Sequence, residues 1–160
     1  MTLIERIEAF VRARWIPEFR YVVNTDCPWA PFETELKAAR FALVTTGGIH
    51  RKTDLPFSDN FGLGDPSYRE IPQETPTANL TATHSHYDLT HALKDVNCVF
   101  PIDRFRELEA EGIIGSLAPT HYSFMGYIPI PKPLTDITAP EVARKMKREG
   151  VDAAFVTPSS

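Results

Sequence analysis

Apolar positions change their period along this chain, and the changes mark its elements. Leu3, Ile7, Phe10 and Val11 recur at helical spacing, so residues 2–15 are expected to form an amphipathic helix that Pro17 ends. Phe41-Ala42-Leu43-Val44-Thr45 is a short, unbroken apolar run stopping at Thr46-Gly47-Gly48, the pattern of a strand buried in a parallel sheet. Residues 33–40 lead into it as a short helix or turn. Residues 80–86 are expected to be a second strand, with 88–94 beginning a helix or turn. Residues 104–111 have helical composition, and Gly112 is a natural stop. Residues 113–117 read as a strand. Thr138-Ala139-Pro140-Glu141 has the spacing of a capping box, and Val142, Ala143 and Met146 give the helix after it an apolar side. Gly150 closes that helix, and residues 151–156 read as a strand. Helix, glycine and apolar strand form the closing half of a β-α-β unit. The expected fold is therefore α/β: an open, mostly parallel sheet with flanking helices, in a single domain over residues 1–160.

Composition narrows the function classes. The chain has 160 residues, 42% hydrophobic and 24% charged, an ordinary globular balance. Its formal net charge of -4 argues against a nucleic-acid binder, which usually carries a basic stripe. No apolar run reaches membrane-spanning length and residues 1–10 lack a secretory core, so a cytoplasmic location is expected. Two cysteines, Cys27 and Cys98, are too few for a disulfide scaffold; both are expected to be reduced, and Cys98, in an apolar run, buried. The 14 prolines mark irregular connections at 71–76 and 129–133. Pro28 and Pro31 keep residues 27–32 out of regular structure, and Trp29 and Phe32 are expected to anchor that segment on the body of the domain.

Candidate chemistry gathers at two places. Thr45-Thr46-Gly47-Gly48-Ile49-His50 follows the first strand, where open α/β sheets bind ligands, and glycines there let backbone N–H groups approach an anion. The run is neither G-x-G-x-x-G nor a P-loop, so a nucleotide is not expected. Three of the five histidines fall within Thr83-His84-Ser85-His86-Tyr87-Asp88-Leu89-Thr90-His91. On an extended segment His84, His86 and Asp88 would share one face. H-x-H-x-D is similar to the metal motif of metallo-β-lactamase-type hydrolases, but Leu89 stands where that motif needs a histidine directly after the aspartate. The aromatic run His121-Tyr122-Ser123-Phe124-Met125-Gly126-Tyr127 suits either an apolar pocket wall or core packing; His121 itself is expected to be semi-buried and satisfied.

One family joins these segments in order. They are Pro28-Trp29-Ala30-Pro31, residues 42–50, Gly64-Asp65-Pro66-Ser67-Tyr68-Arg69-Glu70-Ile71-Pro72 and His84-Ser85-His86-Tyr87-Asp88. Val99-Phe100-Pro101-Ile102-Asp103-Arg104, residues 123–129, Ala139-Pro140-Glu141-Val142-Ala143 and Gly150-Val151-Asp152-Ala153 follow. Together they resemble the selenoprotein B subunits of the glycine, sarcosine, betaine and D-proline reductases, most of all the D-proline reductase branch. The resemblance implies reductive cleavage of a C–N bond in a small amino acid or amine, with a dithiol/disulfide couple. It also implies a selenocysteine or cysteine just after the strand ending at Thr157, and partner subunits that in some branches carry a pyruvoyl group. Here Ser159 and Ser160 follow Thr157-Pro158, and serine is a poor substitute for a thiol or selenol. A reading frame ended at a selenocysteine codon and a naturally short relative both account for this. In either case the chain by itself is expected not to catalyse the reaction, and no cofactor is expected within it.

On that footing Thr46, Gly47, Gly48 and His50 are expected to hold substrate, and Arg69, if the long loop folds over the site, to neutralise a carboxylate. His84, His86 and Asp88 are expected to orient substrate or protonate the leaving amine. The rival enzyme reading is a metal-dependent hydrolase, with zinc or iron on His84, His86, Asp88 and His91. The non-enzyme rival is a binding module or complex subunit, alone or as a homo-oligomer.

Overall fold

A computed structural model describes residues 1–14, 17–21, 23, 25, 26, 28–58 and 64–159. They fall into two compact units, Met1–Pro31 and Phe32–Ser160. Cys27, Trp15 and Ile16 lie outside the described residues.

In the first unit, helix α1 (Leu3–Arg14) is started by a capping box: the Glu5 N–H donates to Thr2 Oγ1 (3.2 Å) and the Thr2 N–H to Glu5 Oε2 (2.7 Å). Leu3, Ile4 and Phe10 on this helix are exposed, and so is Trp29, at 83%, against the expectation that it anchors its segment.

The second unit holds the sheet. Its strands are β1 (Arg40–Thr45), β2 (Ile49–Arg51), β3 (Tyr68–Pro72), β4 (Leu80–Ala82), β5 (Ser116–Leu117), β6 (Thr120–Phe124) and β7 (Ala153–Thr157). β1 is central: β7 runs parallel along one edge, and β5 and then β6 run parallel along the other. β3 pairs antiparallel with β6, so the sheet is mixed but mostly parallel, as expected for an open α/β fold. β2 and β4 form a separate antiparallel pair.

The break between β5 and β6 has a chemical cause. The Ala118 N–H still reaches the Phe41 carbonyl (2.8 Å), but Pro119 has no N–H to continue the ladder. His121 fills the gap, its Nδ1 accepting the Leu43 N–H at 3.1 Å. Rather than semi-buried, His121 is fully buried, and its Nε2 finds no hydrogen-bond partner among the described residues.

Helices cover both faces. Leu43, Ile71, Phe100, Ile102, Phe105 and Leu117 build one core, with α3 (Ile102–Ala110) laid across it. Tyr122, Phe124 and Val142 build the other, under α4 (Ala139–Arg148). The aromatic run 121–127 thus supplies core side chains. A short helix, α2 (Thr90–Lys94), follows the histidine segment. Gly112 (φ 69°) and Gly150 (φ 70°) end α3 and α4 in the left-handed conformation, as their positions predicted.

Three local expectations fail. The expected capping box at Thr138 does not form, because a π-helical turn (Leu134–Thr138) runs directly into α4 and gives Thr138 helical dihedrals. Its hydroxyl donates instead to the Pro66 carbonyl (2.7 Å), and Glu141 accepts from the Tyr68 hydroxyl (2.8 Å). β4 covers only Leu80–Ala82 of the predicted 80–86, and the chain bends at residues 85–87. Cys98 is exposed, because a 3-10 turn (Val96–Cys98) turns Val96 inward instead. Among the described residues, no helix is long and apolar enough to cross a membrane.

Candidate functional site

Because β1, β6 and β7 are parallel, their carboxyl ends emerge on the same edge of the sheet, where α/β folds place ligands. Main-chain contacts tie these exits together. The Thr46 N–H donates to the Thr157 carbonyl (3.1 Å), and the Ser159 N–H donates to Thr46 Oγ1 (2.8 Å). Gly47 bridges to Met125, and the Gly48 N–H donates to the Phe124 carbonyl (3.0 Å). Below them, the Thr45 and Thr157 hydroxyls both donate to the Val99 carbonyl, at 2.8 and 2.6 Å.

Two glycines make this approach sterically feasible. A Cβ on Gly126 would lie 2.2 Å from the Ser159 carbonyl oxygen, and one on Gly48 the same distance from the Thr83 oxygen. Gly48 also has φ 66°, which side chains rarely tolerate. The glycine N–H groups are engaged: that of Gly47 donates to Thr45 Oγ1 (3.0 Å) and that of Gly48 to Phe124. The structure therefore uses these glycines for close packing of main chains, with their N–H groups directed into the protein.

The histidine segment straps the exits from above. The Thr83 N–H donates to the Gly48 carbonyl (2.9 Å) and the Tyr87 hydroxyl to the Gly47 carbonyl (2.7 Å). His84 is buried, with its ring 4.7 Å from that of Tyr87. Its Nδ1 faces the His86 N–H (3.0 Å) and its Nε2 the Gly126 N–H (3.2 Å). A neutral imidazole accepts at only one of its two nitrogens, so the tautomer of His84 decides which of these N–H groups it satisfies. His86 is half-buried and stacks on Tyr127, with ring centroids 3.7 Å apart.

Of the three residues expected on one face, His84 and His86 stay together, with ring centroids 6.0 Å apart, but Asp88 does not join them, because the segment bends at residues 85–87. Asp88 is exposed and accepts the Thr90 N–H (2.8 Å) ahead of α2. Hydrogen bonds to Thr90 hold its carboxyl below the usual range. His91 is exposed on α2. Among the described residues, no three His, Cys, Asp or Glu side chains are placed to hold a metal, so the set His84, His86, Asp88 and His91 is not assembled.

His50 and Arg69 do structural work nearby. Buried on β2, His50 donates from Nδ1 to the Arg51 carbonyl (2.8 Å), which leaves Nε2 to accept from the Thr83 hydroxyl (2.9 Å). Arg69 sits over the Phe57 ring at 4.2 Å and donates to the Leu55 and Pro56 carbonyls and the Ser67 hydroxyl. Asp65 lies 3.7 Å from its guanidinium. Burial raises the Asp65 carboxyl, but hydrogen bonds from Ser67 and Ser58 and the Arg69 charge outweigh this and lower it.

Residues the sequence did not single out complete the junction. Tyr87 and Gly126 were visible inside the histidine and aromatic motifs, but nothing in the spacing indicated that they meet there. Burial, with the nearby Cys98, pushes the Tyr87 hydroxyl up to about 12, so it stays a hydrogen-bond donor. Cys98 itself is a weak nucleophile: partial desolvation and then the Asp95 carboxylate raise its thiol.

Comparison with known proteins supplies a family context. The family model for the glycine/sarcosine/betaine reductase selenoprotein B proteins matches residues 3–159. The D-proline reductase subunit gamma of Acetoanaerobium sticklandii is 43% identical over 138 residues, covering 86% of this chain and 56% of that protein. The glycine reductase complex component B subunit gamma of Symbiobacterium thermophilum is 34% identical, covering 81% of this chain and 30% of its own length. The sarcosine reductase complex component B subunit beta of Peptoclostridium acidaminophilum is 33% identical, covering 68% and 26%. The chain thus spans about half the length of the first of these relatives and less than a third of the other two. No solved structure matches it.

Proposed function

Since this chain belongs to the glycine/sarcosine/betaine reductase selenoprotein B family, we propose that it acts as a subunit of a reductase complex. The substrate class is a small amino acid or amine, with D-proline the first candidate, and the reaction is reductive C–N cleavage. Such a cleavage takes two electrons and two protons. Oxidation of a dithiol to a disulfide releases both, so the carbon gains a C–H bond and the nitrogen leaves as an amine with an N–H bond.

One observation carries this reading: β7 delivers the main chain of Ser159 onto Thr46 and Gly126, beside His84. A redox group at this place in the assembled enzyme would face the ends of β1 and β6. Thr46, Gly47 and Gly48 then form the wall of the junction, and His84 and His86 orient substrate against it. Asp88 supports the strap by accepting the Thr90 N–H at the start of α2, His50 ties β2 to Thr83, and Arg69 clamps the loop beside β3. His86 is the side chain best placed to handle the proton of the leaving amine, because it is half-buried beside the junction while the ring nitrogens of His84 face main-chain donors.

The test is oxidation of dithiothreitol dependent on D-proline, glycine or betaine, measured with the purified chain alone and after adding the other subunits of a reductase complex. Turnover is expected only in the reconstituted mixture. Turnover by the isolated chain would overturn the subunit reading, and failure of the mixture on all three substrates would overturn the proposed chemistry.

A further inference from the structure

β7 has the sequence of an interior strand and the position of an edge strand. Ala153-Ala154-Phe155-Val156-Thr157 contains no charge and no proline, and pairs with β1 in unbroken register over its full length. Its other edge pairs with no strand among the described residues. Natural sheets protect such edges with lysines, prolines or bulges, and reserve continuous apolar runs for strands covered on both sides. Here Phe155 remains 42% exposed and Val156 56% exposed.

Both faces are unfinished beside it. On the α3 side Phe155 leans on Phe105, with centroids 4.9 Å apart, and is still 42% exposed. Val156 shares a row with Val44, which packs in the α4 core. On that side Ala154 lines a cavity of about 230 Å³ with Ala143, Met146 and Lys147. An added strand would satisfy the edge and narrow both openings at once.

The length of the relatives indicates where such a strand comes from. The match covers 56% of the D-proline reductase subunit, so nearly half of that protein lies outside it. We propose that the free edge of β7 is taken by a β-strand of the polypeptide corresponding to this unmatched part, which extends the sheet beyond β7. The inference rests on family membership and on the edge itself, and is independent of the reaction proposed above.

Hydrogen–deuterium exchange of residues 153–157 tests it without any activity readout. It is compared between the 160-residue chain and a chimera in which this chain replaces the matched stretch of the Acetoanaerobium sticklandii subunit. Exchange in the chimera is expected to slow by at least about tenfold, as for strand addition at an open edge. Val156→Lys is expected to restore fast exchange in the chimera while leaving the thermal midpoint of the chain alone unchanged. Should the chimera not fold, the unmatched segment is co-expressed as a second polypeptide and the same amides are read. Equal exchange with and without the segment would overturn the proposal. So would a dimer of the chain alone that already protects residues 153–157, because a second copy would then be the occupant.

Discussion

β1 and β7 lie side by side in parallel register over five residues, and both are apolar, yet only one is finished. β1 is hydrogen-bonded on both edges and buries Ala42, Leu43 and Thr45 almost completely. β7 is hydrogen-bonded on one edge and leaves Phe155 and Val156 open. The contrast continues into the junction. The exit of β1 is held by Phe124, Met125 and Tyr87 as well as by β7. The exit of β7 hangs on Thr46 and Thr45 of β1, with Thr157 also reaching Val99. One side of the candidate site is therefore built on a saturated frame, and the other is only as well placed as β1 makes it.

Substitutions in the paired row Leu43 and Phe155 would break this comparison most directly. Leu43→Ala should cost about 2–5 kcal/mol in urea denaturation, because a buried leucine leaves a cavity. Phe155→Ala should cost about 1–2 kcal/mol, its ring being already half in water. Equal losses would mean that the two strands are equally packed. A fall in pH probes the β1 frame next. His121 is buried against Leu43, and burial lowers it from 6.5 to about 4. The unfolded chain then binds a proton that the folded chain refuses, so stability declines as pH drops from 6.5 toward 4. The full loss is roughly 3 kcal/mol, complete below the folded value. Urea titrations across that range should show the decline, and His121→Asn should flatten it.

Smaller effects sharpen the contrast at the exits. Tyr87→Phe removes one hydrogen bond to Gly47 and should cost about 1 kcal/mol. It should speed amide exchange at Gly48 and Thr83 more than at Ala154 and Phe155; the reverse order would place Tyr87 on the β7 side. Val156→Thr should change stability by less than about 0.5 kcal/mol in the chain alone, because this position is mostly solvated. A larger loss in thermal denaturation would show that the β7 edge is already covered.

Particular residues show how far the sequence could be read. The apolar run before Gly47-Gly48, the stop at Gly112 and the Gly150 turn before β7 were legible, because period and glycine placement are local properties. The bend at residues 85–87 was not. Alternating His84, His86 and Asp88 looks like a strand, but Thr83 and Tyr87 are drawn to the Gly48 and Gly47 carbonyls, and those contacts curl the segment. Thr138 and Glu141 had the right spacing for a cap, but Pro66 and Tyr68, some 70 positions away, claim their oxygens. Arg69 looked available for a carboxylate until the loop around Phe57 closed on it.

By itself, the sequence determined the α/β class, the central strand, the family and the segments from which the candidate site is drawn. These follow from periodicity, from glycines that alone tolerate positive φ, and from motifs kept in order along the chain. Only the tertiary structure decided which of those residues meet. Gly126 admits Ser159, His84 turns both ring nitrogens to main-chain donors, and β7 keeps a free apolar edge. Each depends on backbones far apart in sequence approaching within van der Waals distance, and no local pattern encodes that approach.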